Sequence, residues 1–322
     1  MKKHHLLILL SLISLNCASW FMSSNSDIQK VNIITSDIDL FWTAFDEFER
    51  TGNASVFKTE YFDKGSKGLH DFVDLRINSA DELAKKITAT KKYYLSIRQS
   101  SLNIKNKIPS LNSDFENLRK LYPKAVFPDV YFVMGKLSTG GTTSTNGLLI
   151  GAEMYSKTDG SPENELNNWE KRVLKNESGI SAVVSHELIH YQQKDVGIWN
   201  YIFSSSTLLD RCLHEGIADF VGEKISAGNI NSESVYTWAQ PREKELWLEF
   251  KQEKDGKDYS KWLYNGTLKD RPADVGYFMG YKIAEAYYEN ASDKKQAIAD
   301  MLESTDSNDF LEKSGYAKKF EN

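Results

Sequence analysis

The chain has 322 residues, two cysteines and a formal net charge of −5, with 40% hydrophobic, 26% charged and 12% aromatic residues. That balance supports a globular protein with a sizeable core. It excludes a disulfide-stapled mini-protein and a mainly disordered chain. It also lacks the cationic surplus that phosphates demand, so no nucleic-acid partner is expected.

Lys2 and Lys3 precede an apolar run from Leu6 to Leu15, broken by Ser11 and Ser14. This reads as a secretory signal over residues 1–16. The run is too short to span a bilayer, which takes about 20 apolar residues. Cys17 follows directly, and its placement resembles the lipobox of bacterial lipoproteins. That resemblance implies a lipid on Cys17, a tether over 17–30, and a membrane-anchored protein of the bacterial cell envelope, periplasmic or surface-facing. Ordinary cleavage near Ala18-Ser19 is the alternative. With Cys17 lipidated, Cys212 has no disulfide partner.

Residues 31–125 read as a helical part. Ile38, Phe41, Trp42, Phe45 and Phe48 recur at helical spacing, a stripe assigned to the core. Ser79 to Glu82 and Ser113 to Glu116 each fit a capping box. The pattern changes at Pro128. Val130–Val133 and Leu148–Ile150 are β-prone, and the small, polar stretch from Ser138 to Asn146 reads as a flexible loop between two strands. From Glu163 helix signals dominate. The expected fold class is α+β, predominantly helical, with a small β-sheet beside one central helix. The chain from about residue 30 is one unit, with 126–322 as its core part.

The central helix carries Ser185-His186-Glu187-Leu188-Ile189-His190, an H-E-x-x-H motif. Residues four apart share a helix face, so His186 and His190 can reach one metal. Glu187 lies close enough to take a proton from a metal-bound water. Catalytic zinc usually has three protein ligands, so a third is expected downstream. Thr207 to Asp210 fits a capping box, Gly228 fits a stop, and the helix between them holds Glu215, Gly216 and Asp219. Glu215 is the candidate third ligand and His214 its rival. Asp219, four residues from Glu215, can accept the free ring N–H of a ligand histidine and fix its tautomer. Gly216 would allow a second helix to approach closely, and Cys212 reads as a small buried thiol. Two imidazoles and a carboxylate suit one zinc ion.

H-E-x-x-H followed by E-G-x-A-D resembles the gluzincin, thermolysin-like zinc metallopeptidases, and most closely a set of bacterial zinc-dependent peptidase lipoproteins. The resemblance covers roughly 126–290 and includes Arg271 to Tyr281. It implies a gluzincin-like core and zinc-dependent hydrolysis of a peptide or protein substrate, with Glu187 as general base. Tyr277, Tyr281 and His214 are candidate donors to the reaction's oxyanion, against helix packing as the alternative for each. The strand Gly147 to Met154 is expected to pair with an extended peptide. Two other functions remain open: a non-catalytic envelope lipoprotein acting as scaffold or binding protein, and a glycan binder suggested by 7 Trp and 16 Tyr.

Overall fold

Aromatic spacing builds the first layer. Helix α1 (Ser36–Thr51) buries Ile38, Phe41, Trp42 and Phe45 and ends at Gly52, whose φ of 67° lets its N–H close onto Phe48 O. Residues 24–194, 206–231, 235–265, 268 and 270–321 are described in a computed structural model of the chain. Cys17 and the signal segment lie outside the described residues. Among the described residues no helix is long and apolar enough to cross a membrane.

Helices α2 (Lys67–Phe72), α3 (Ala80–Ala89), α4 (Lys91–Leu102) and α5 (Ile108–Leu121) complete the first part. Ser79 caps α3 through Glu82 N at 3.2 Å. Ser113, read as a helix start, instead lies inside α5. That helix opens at Ile108 with Pro109 in its first turn, where a missing N–H costs nothing.

Four strands form one mixed sheet: β1 (Ile33–Ile34), β2 (Asp129–Val133), β3 (Gly141–Ser144) and β4 (Gly147–Gly151), in the order β1-β2-β4-β3. β1 and β4 run parallel to β2, while β3 folds back antiparallel on β4 with Thr142 opposite Leu149. The expected flexible loop is therefore part strand, because Thr142 and Thr143 are β-formers beside a tight turn. The expected peptide-pairing strand is corrected too. Gly147–Gly151 is interior, hydrogen-bonded on both sides, and β3 is the outer strand.

The core part continues with α6 (Asn168–Val173), α7 (Ile180–Gln192), α8 (Leu208–Ser226), α9 (Glu243–Glu253), α10 (Val275–Asn290), α11 (Lys294–Glu303) and α12 (Ser307–Ser314). The architecture is predominantly helical, with the small sheet against α7. A reciprocal Thr207–Asp210 capping box opens α8 as expected; the helix stops at left-handed Ala227, one residue before Gly228. Helices α8 and α10 meet backbone to backbone. A Cβ at Gly216 would lie 2.1 Å from Tyr281 N, and one at Gly280 would lie 1.7 Å from Cys212 O, so only hydrogen fits at either position.

The start of the described chain is pinned next to α7. Asn25 and Phe127 exchange backbone hydrogen bonds of 2.8 and 2.7 Å. The adjacent Val126 is held by the Gln192 side chain, which accepts from Val126 N at 2.9 Å and donates to Val126 O at 2.8 Å.

Candidate metal centre

Helix α7 is apolar on nearly every side, so it is buried, and its polar residues need partners. His186 and His190 project from it toward α8, which supplies Glu215. The three side chains form one cluster whose ligand atoms all lie within 4.8 Å of one another. Nε2 of His186 is 2.9 Å from Nε2 of His190, and Glu215 Oε2 lies 3.4 and 3.3 Å from the two nitrogens. Ligands about 2.0–2.2 Å from a tetrahedral zinc stand roughly 3.4 Å apart, so this triangle matches a zinc site in size.

The ring partners sharpen the fit. Nδ1 of His190 faces Gln193 Oε1 at 2.8 Å. An amide oxygen only accepts, so Nδ1 donates this bond, which turns Nε2 toward His186. Nδ1 of His186 lies 2.8 Å from Asp219 Oδ1, a close but bent contact. The other Asp219 oxygen accepts from Tyr236 OH at 2.7 Å and Asn231 Nδ2 at 2.9 Å. The two Nε2 atoms thus face each other and Glu215 Oε2, an arrangement that a shared proton or a cation would satisfy.

The electrostatics agree. Burial opposes a charged His186, yet Asp219 and Glu215 outweigh it and lift the pKa to about 10. Burial likewise opposes an ionised Glu215, but the histidine charges and hydrogen bonds hold its carboxyl well below the usual range. A proton shared within the cluster would satisfy these groups. A divalent cation bound there would replace it.

The neighbours divide by role. Glu187 lies under the outer strand: a Cβ at Gly141 would come within 2.7 Å of its Oε1. Burial raises its pKa, with the charges of His190 and His186 pulling the other way. His214, the rival ligand, is not in the cluster. Its ring stacks on His190 at 4.2 Å, and burial followed by the His190 charge keeps its pKa well below the usual value. Tyr277 lies parallel to the His186 ring at 6.1 Å. Tyr281 turns away and packs edge-on against Phe220 and Tyr236. Cys212 is buried and unbridged.

Sequence reasoning missed Gln193, Asn231, Tyr236 and Tyr264. Gln193, three residues after His190 and the residue that ends α7, was within reach of spacing arguments. Asn231 and Tyr236 approach Asp219 only through the return of the chain after α8. The Tyr264 hydroxyl reaches Glu215 Oε1 at 3.5 Å from a separate segment.

Residues 22–318 match the family model described as gliding motility protein GldB, a lipoprotein family. The chain belongs to this family. No curated protein and no solved structure matches it. Membership overturns the gluzincin resemblance and the peptidase reading built on it: the family that spans nearly the whole chain is one of gliding motility lipoproteins. Two helices presenting His, His and Glu make a local geometry that does not by itself define a family or a reaction. Family membership supports a lipoprotein of the cell envelope associated with a membrane.

Proposed function

We propose that this protein is a membrane-anchored envelope lipoprotein that serves gliding motility as a binding or scaffold component, and that one zinc ion at His186, His190 and Glu215 braces its core. The observation that carries the metal is the pair of imidazole Nε2 atoms 2.9 Å apart with Glu215 beside them. The family match supports the envelope role. Bound zinc would supply a bond between α7 and α8 and leave a position for a further ligand. Gln193 and Asp219 orient the two rings. The membrane attachment is a lipid on Cys17.

The test is metal content of the mature chain in detergent. About one zinc per chain is expected, lost in His186→Ala and in Glu215→Ala. A folded wild type that cannot be loaded removes the metal. Peptide turnover by the loaded protein that disappears in Glu187→Gln overturns the binding-protein reading. The anchor is checked separately: Cys17→Ser should release the chain from membranes and remove the lipid mass.

A further inference from the structure

We propose that Tyr264 is a positioning residue of the metal centre, holding Glu215 by one carboxylate oxygen so that only the other faces the metal; this rests on the zinc reading above. The two oxygens of Glu215 have separate neighbours. Oε2 faces the Nε2 atoms of His186 and His190 at 3.4 and 3.3 Å, and Oε1 faces the Tyr264 hydroxyl at 3.5 Å.

The backbone at Tyr264 shows that this placement is imposed. Its φ is 58°, in the left-handed region that bulky side chains avoid. The residue is 59% exposed. The conformation is fixed by the start of α10. Tyr264 N donates to Asp274 Oδ1 at 2.7 Å, and Asp274 N donates to Asn265 Oδ1 at 2.8 Å. Asp274 is itself left-handed, with φ 62°. Gly276 N closes the base of the segment onto Trp262 O at 2.8 Å. Two strained residues, locked to each other, aim one exposed phenol at a metal ligand.

A carboxylate with one oxygen engaged elsewhere binds a cation through the other. This keeps the coordination number low, favours zinc, and leaves room for an outside ligand. Without the phenol, Glu215 is free to turn both oxygens to the metal.

The test uses the mature chain, its Tyr264→Phe and Tyr264→Asn variants, and two probes, zinc against a competing chelator and cobalt(II) by visible absorption. Removing a group that orients a ligand typically weakens metal affinity about 10- to 100-fold. That loss is expected in both variants, while the metal-free melting temperature stays unchanged in the Phe variant and does not fall in the Asn variant. Asn tolerates the left-handed backbone, so the Asn variant separates the hydroxyl's role from the strain. The cobalt band should weaken in the Phe variant as the coordination number rises. Wild-type affinity and spectrum in Tyr264→Phe overturn the assignment and leave the metal site standing. So does a loss of affinity that only tracks a drop in metal-free stability. A wild type that binds neither metal overturns the metal site itself, and the role of Tyr264 with it.

Discussion

Gln193 commits its whole side chain to the candidate metal site: Oε1 accepts from His190 Nδ1, and Nε2 donates to His214 O at 2.8 Å. Gln193→Leu should therefore keep the fold and lower zinc affinity about 10- to 100-fold, read by chelator competition. Undiminished affinity would show that His190 is oriented by packing alone. At this scale the sequence was legible where chemistry sits at helical spacing: His186 with His190, and Glu215 with Asp219. It was not legible where partners arrive from separate segments. Tyr277 and Tyr281, picked for their spacing, lie on α10 with their rings against His186 and against Phe220 and Tyr236, whereas a phenol that touches Glu215 belongs to Tyr264. Nothing local to Tyr264 announces it, because the left-handed backbone that aims it is set by Asp274, ten residues on.

Between elements, the tightest seam is that of α8 with α10. Gly216→Ala places a Cβ against the backbone of Tyr281 and Gly280, which cannot yield as a side chain would. The expected cost is about 3 kcal/mol, with metal binding lost because Glu215 is the preceding residue. Denaturant unfolding and zinc titration check both. The sheet has its own fastening in Glu153, which accepts from Gly135 N at 2.8 Å and Leu137 N at 3.2 Å. Burial pushes its pKa up to about 7, partly offset by those donors. The folded state therefore holds a proton that the unfolded chain releases above about pH 4.5. Stability falls as pH rises from about 4.5 to 7, by on the order of 2–3 kcal/mol from this group. Glu153→Gln should flatten that slope in melting curves recorded across the window; an unchanged slope would assign it to other groups. The strands of this sheet were only half visible in sequence. Two apolar runs marked β2 and β4, but β3 is built from Gly, Thr and Ser, whose pairing depends on the neighbour it folds onto.

The molecule as a whole is a helical body cross-linked at one point by the proposed metal. Saturation at a thousand times Kd stabilises by about 4 kcal/mol, which raises Tm by roughly 6 °C for a chain of this size. Calorimetry with zinc and then with excess chelator checks this; a Tm indifferent to chelator would show that the metal contributes nothing to the fold. Fold class was readable from periodicity, since helices and strands differ in hydrophobic period. Family was not. A cation needs only two short helices to supply its ligands, and the remaining helices, which make this molecule what it is, carry ordinary core patterning.

The pinning of Asn25 has a mechanical consequence. A pull arriving from the preceding residues enters the fold at the two Asn25–Phe127 hydrogen bonds. It passes to Val126, and through the paired bonds of Gln192 to the last turn of α7. The next residue, Gln193, holds His190. Tension on a membrane tether is thus delivered within one helical turn of the proposed cross-link. The proposed ion would then work as a rivet along that path.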